Sequence, residues 1–106
     1  MPKINPSQKK RSVDEIRQDL RAHLPELRHR YGITYLGIFG SYVRGEQKKT
    51  SDVDILVEFD RPGTLLGFIH LQNDLADLLG VRVDLVEKNG LKPAIRPYVL
   101  GEVVPV

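Results

Sequence analysis

Gly40-Ser41-Tyr42-Val43-Arg44-Gly45, followed after a short polar loop by Ser51-Asp52-Val53-Asp54-Ile55-Leu56-Val57, is the stretch on which the reading of this chain turns. Ten residues separate Ser41 from Asp52. The first half is a small-residue turn. Gly40 lets backbone N–H groups approach a phosphate closely, and Ser41 adds a hydroxyl donor where a helix begins. The second half sets two carboxylates at the start of an apolar strand. Neither half is specific alone, since Gly-Ser is a common turn and an Asp-x-Asp is more often a solvated strand start. Joined at this spacing, with strands on both sides, they place a phosphate seat beside a metal seat.

Working outward, Ile33 to Phe39 reads as a strand, near-continuously apolar as when both faces are covered. A short helical segment follows Gly40-Ser41 through Val43-Arg44, and Gly45 to Thr50 is a polar loop. Val53 to Phe59 is a second strand. Val53, Ile55, Val57 and Phe59 share one face, and Asp52, Asp54, Leu56 and Glu58 the other, which is expected to be open. Upstream, Ser12 and Glu15 form a capping box for a helix over 13–30, with Pro25 expected to kink or restart it near Leu24 and Gly32 to stop it. Downstream, Thr64 caps a helix over 64–79 whose stripe is Leu65, Phe68, Ile69, Leu75, Leu78 and Leu79. A third strand spans 81–86. A last helix over 91–101 is weakened by Pro93 and Pro97, the tail Val103 to Val106 reads as an edge strand or an interface segment, and Tyr98 to Val106 offers an apolar docking surface. The order gives a small α/β or α+β sheet backed by helices.

The chain has 106 residues, enough for one domain and one modest core. The expected organisation is a disordered basic tail over 1–11, carrying Lys3, Lys9, Lys10 and Arg11, and a single domain over 12–106. A net charge of +2 is too weak to argue for a nucleic-acid partner. There is no cysteine, so disulfides and thiolate metal sites are excluded. No apolar run reaches transmembrane length and no apolar leader opens the chain, so the expected location is cytoplasmic.

Asp52 and Asp54 point to the same face, with Cα atoms about 6.5–7 Å apart. Their oxygens can converge on one hard cation and reach a second, as in two-metal phosphoryl transfer. Asp84 repeats the arrangement on the third strand, between Val83 and Leu85, which turn inward. Arg44 has two readings, a phosphate contact or a partner for a structural carboxylate. His23, His29 and His70 sit on helices among polar neighbours and read as surface residues. No Walker A or Gly-x-Gly-x-x-Gly pattern occurs.

The Gly40-Ser41…Asp52-x-Asp54 arrangement, with Arg44-Gly45 and Ser51 between, resembles the minimal nucleotidyltransferases of the polymerase-beta superfamily, antitoxin-type proteins encoded beside HEPN-domain partners. The resemblance covers roughly residues 12–104 and implies the nucleotidyltransferase fold, with a three- to four-stranded mixed sheet. It implies that Gly40 and Ser41 hold the triphosphate of ATP, where Arg44 is a further candidate nucleotide contact. Asp52 and Asp54 would bind Mg²⁺, two ions in all, with Asp84 as third catalytic carboxylate. Tyr42 and Val43 fill variable positions and are expected to shape the nucleotide pocket. The family activity is AMP transfer to a tyrosine of a HEPN ribonuclease toxin, which silences it. The rivals are stoichiometric binding of that partner without catalysis, and transfer to a small molecule or RNA. Assembly with itself or with the partner fits a chain too short to hold a large acceptor-binding domain.

Overall fold

The computed structural model describes residues 11–106, so the expected tail lies outside the described residues apart from Arg11. Arg11 is anchored: its guanidinium donates to the Leu79 carbonyl and to Asp19, each at 2.6 Å. The elements are α1 (Val13–Tyr31), β1 (Ile33–Phe39), α2 (Ser41–Arg44), β2 (Val53–Phe59), α3 (Leu65–Leu79), β3 (Val83–Glu87), a 3-10 turn (Lys88–Gly90), α4 (Arg96–Glu102) and β4 (Val104–Pro105).

α1 starts as the capping box requires, with Ser12 Oγ accepting from the Glu15 N–H and Glu15 accepting from the Ser12 N–H. It ends at Gly32, whose φ of 70° allows its N–H to reach the Arg28 carbonyl. The expected break at Pro25 does not occur, and the helix runs through it. Pro25 and Arg21, whose carbonyl loses its helical donor, both lie on the exposed face, where water can replace the missing bond.

The sheet has four strands in the order β3-β2-β1-β4. β1 pairs antiparallel with β2 and β4, and β2 pairs parallel with β3 through the α3 crossover. The sheet is therefore mixed, as the resemblance implied. α1 and α3 pack on one face. Ile16, Leu20, Ile38, Ile55, Leu71 and Leu75 have no exposed surface there. Burying side chains of this size stabilises by about 1.5–3 kcal/mol each before the entropy of ordering them is set against it.

Three expectations need correction, and one open alternative is decided. The stripe of α3 is rotated: Leu71, Leu75 and Leu79 are its buried line, while Leu65 is 75% exposed and Ile69 40%. The i, i+4 row nearest the sheet wins, and the first turn of α3 overhangs it. The second sheet face is not open, because Leu56 packs with Leu91 and Val99 against Tyr35, Phe39, Val86 and Val103 in a second, smaller core. Only the end that carries the carboxylates is left uncovered. α4 begins at Arg96, not near 91, and Pro97 sits in its first turn, where a missing N–H costs nothing. The C-terminal segment resolves as an edge strand. Val104 pairs with Ile38, Pro105 with Gly37, and the Val106 N–H donates to the Leu36 carbonyl. At the other edge, the Leu85 N–H donates to the Gln72 side chain of α3.

Leu56 is fully buried yet belongs to the smaller core, so it measures how far α4 contributes to the fold. Leu56→Ala should lower the unfolding free energy by about 3 kcal/mol. Urea titration should show this as a lower midpoint at unchanged slope. A loss below about 1 kcal/mol would mean that the face covered by α4 adds little.

Candidate active site

The site forms where three strand ends meet. β1 stops at Phe39, opposite Asp54 of β2, so the next residue, Gly40, leaves the sheet directly over the Asp54 carboxylate. A Cβ on Gly40 would lie 2.0 Å from Asp54 Oδ2, and the backbone there has φ 82° and ψ −151°. Glycine is demanded twice, by space and by dihedral. α2 then forms a single turn, fixed from below by Tyr42, which is 3% exposed. Tyr42 is thus a core residue and not a wall of the nucleotide pocket, and Val43 also packs against the main core. The Ser41 hydroxyl is left without a hydrogen-bond partner among the described residues. A four-residue helix has little dipole, so any anion held here is held by amides and this hydroxyl.

Across the parallel pair, Asp54 is in register with Asp84. Adjacent strands stand about 4.8 Å apart, so both side chains emerge on one face within hydrogen-bonding reach of each other. Burial, then the charges of Asp84 and Asp52 and the bond to Asp84, push the Asp54 carboxyl up to about 6. Asp52 lies one residue before β2 and is exposed; its carboxylate is held by Arg82 at 2.9 Å. Both partners are largely in water, so this ion pair contributes about 0–1 kcal/mol and is readily exchanged for another cation. No group of three or more His, Cys, Asp or Glu side chains among the described residues is already arranged to hold a metal ion. The donor chemistry still suits a hard cation. Asp54 and Asp84 offer only oxygen, their mutual repulsion would be relieved by a divalent ion, and Asp52 is one exposed ion pair away from joining them.

Arg44 shows the carboxylate reading in this structure. Its Nε donates to Glu46 at 2.8 Å and its Nη1 to Glu102 at 2.6 Å, and these two bonds raise its pKa further. Its Nη2 has no partner among the described residues. Glu102 also accepts from the Gly40 N–H at 2.8 Å. Burial alone would raise the Glu102 carboxyl, but these two donors pull it below its ordinary value. Neither Glu102 nor Arg82 was singled out from the sequence. Arg82 was within reach, because a parallel register of Asp54 with Asp84 places it opposite Asp52. Glu102 carried no local signal. His23, His29 and His70 are exposed on their helices, as expected. A cavity of about 910 Å³ opens at the other end of the sheet, among Arg28, Tyr31, Phe59, Arg61 and Phe68. None of the predicted site residues lines it.

Comparison with known proteins agrees with this geometry. A family model described as a nucleotidyltransferase domain matches residues 20–105. The chain is 55% identical over 95 residues to the protein adenylyltransferase MntA of Thermococcus cleftensis, covering 90% of this chain and 96% of that one. A solved candidate minimal nucleotidyltransferase superposes with a TM-score of 0.78 at 40% identity, over 92% of this chain and 99% of that one. A toxin–antitoxin structure with AMP-PNP superposes with a TM-score of 0.64 at 26% identity, over 87% of this chain and 69% of that one.

Two measurements probe the site without substrate. Gly40→Ala should destabilise by about 1–3 kcal/mol, because the added methyl group meets the Asp54 carboxylate and the dihedral is strained. A variant as stable as the parent in a thermal melt would contradict that contact. The Asp54 carboxyl titrates at about 6 in the fold against 3.8 when unperturbed. The folded state therefore holds the extra proton, and its contribution is complete below about pH 4 and lost as pH rises through about 6. Discounted for solvent screening, this is about 1 kcal/mol. Asp54→Asn should remove that slope from a stability-against-pH curve, and an unchanged slope would place the titration elsewhere.

Proposed function

The chain belongs to the nucleotidyltransferase domain family, and from that premise we propose that it transfers AMP from ATP to a tyrosine hydroxyl of a HEPN ribonuclease, silencing that toxin. The observation that carries the reading is the register of Asp54 with Asp84 beside the Gly40-Ser41 turn, which puts paired carboxylates next to unpartnered phosphate donors. Protein as acceptor follows the adenylyltransferase with which the chain shares 55% of aligned residues, and a toxin partner follows the toxin–antitoxin likeness.

The Ser41 hydroxyl, the backbone of the turn and the outer amino group of Arg44 would hold the β- and γ-phosphates, orienting the α-phosphorus toward the uncovered end of the sheet. Asp52, Asp54 and Asp84 would hold Mg²⁺, which when bound neutralises phosphate charge as the bridging bond breaks. The acceptor oxygen attacks the α-phosphorus, the bond to the bridging oxygen breaks, and pyrophosphate departs along the turn. The acceptor's proton passes to the carboxylate pair, with Asp84, the more exposed of the two, nearest the incoming hydroxyl. The partner supplies the acceptor, and the exposure of Asp52 and Asp84 leaves the site open to it.

Incubation with α-labelled ATP, Mg²⁺ and a HEPN-domain ribonuclease from the same source should add the mass of AMP to a partner tyrosine and stop RNA cleavage. Asp54→Asn should lower the labelling rate about a thousandfold with the fold intact by circular dichroism. Labelling retained in an Asp52→Asn, Asp54→Asn double variant would move the chemistry elsewhere. Full silencing by an unlabelling Asp84→Asn variant would favour stoichiometric binding.

A further inference from the structure

Glu102 joins the last helix to the phosphate-side turn, 62 residues away in sequence from Gly40. One carboxylate oxygen accepts the Gly40 N–H at 2.8 Å and the other accepts Arg44 Nη1 at 2.6 Å, so a single side chain spans both ends of α2. The turn needs such a support. Gly40 has left the sheet in a conformation no ladder stabilises, and a lone four-residue helix does not hold itself together in water. Arg44 is a long side chain, 48% exposed, whose ordering alone costs about 2 kcal/mol of rotamer freedom. Glu102 itself is firmly based. Val99 of α4 and Val103, just after the helix, pack into the second core, and Val104 is laddered onto β1.

We propose that Glu102 is a positioning residue for the nucleotide: it fixes the Gly40 amide and the Arg44 guanidinium so that Ser41 and the outer amino group of Arg44 face the triphosphate. The inference rests on the nucleotide-binding reading above. A carboxylate beside a phosphate seat could instead be an occupant that ATP must displace. The contacts argue otherwise, because Glu102 engages the Gly40 N–H and Arg44 Nη1 and leaves the Ser41 hydroxyl and Arg44 Nη2 without partners. The charge-assisted bonds also aim Arg44 more firmly than a neutral acceptor would.

Glu102→Gln in the full chain tests this, since the amide keeps the size and one acceptor and removes the charge. Without nucleotide, amide hydrogen exchange followed by NMR should quicken about tenfold for Gly40 to Gly45, while β1 and α3 amides keep their rates. Calorimetric titration with Mg-ATP should give a Kd about tenfold weaker, and transfer should show KM for ATP raised by the same factor with kcat at saturation nearly unchanged. Glu102→Asp, which keeps the charge but shortens the reach, should recover part of the affinity. Unchanged exchange and unchanged Kd would overturn the proposal, as would exchange quickened uniformly through β1 and α3, the mark of a merely structural role. Tighter Mg-ATP binding would also overturn it and make Glu102 a competitor. If the parent protein binds no Mg-ATP, the nucleotide reading fails, while the exchange rates still decide whether Glu102 holds the turn.

Discussion

The closest approach in the molecule that matters is that of the Gly40 backbone to the Asp54 carboxylate. It follows from the antiparallel register of β1 on β2, which places Phe39 opposite Asp54 and leaves Gly40 no direction but over that side chain. A slip of one residue would turn Asp54 into the main core and Ile55 out of it, so the hydrophobic alternation of β2 and the geometry of the site are one constraint. The parallel pairing of β2 with β3 then sets Asp84 beside Asp54. Packing decides where the charges stand, and the charges themselves gain nothing from standing there.

That arrangement is electrostatically uphill. Two carboxylates in register, one of them half-buried, hold a proton that an isolated aspartate would have released. The fold tolerates this because the cost is small beside the apolar burial on the other sheet face, where Val53, Ile55 and Val57 of the same strand have no exposed surface. Arginines answer the acids at the periphery: Arg82 on Asp52, Arg44 on Glu46 and Glu102. No salt bridge among the described residues reaches the central pair, Asp54 and Asp84, where a positive charge from outside has the most to offer.

Much of this was legible in local sequence. The capping box of Ser12 and Glu15, the limits of β1 and the alternation of β2 are short-range signals, and each element formed where they placed it. The Gly40-Ser41 and Asp52-x-Asp54 motifs came together because strands of matched length brought them to one end. What escaped depends on residues distant in the chain. Leu71 replaced Leu65 and Ile69 in the buried stripe because the sheet, and not the helix, selects the face. Leu56 looked like an outward residue until Leu91 and Val99 covered it. Tyr42 looked like a pocket wall, but one turn of helix over a sheet end rotates that position downward into the core. Glu102 has no neighbour in sequence to announce that it meets Gly40.

Both outer strands of the sheet are blunted. β4 is two residues long and contains Pro105, which has no N–H to offer. β3 has its outward Leu85 amide already bonded to Gln72 and carries Asp84 and Glu87 among its five residues. A second polypeptide approaching these strands meets a two-residue edge at β4 and an edge interrupted at Leu85 on β3. Recognition by strand addition is thereby closed at these positions, and a macromolecule that reaches the carboxylate end must be gripped by side chains on helix surfaces. Its affinity would then be set by a few shape-matched contacts and could change by point substitution, without any change to the sheet that aligns the acids.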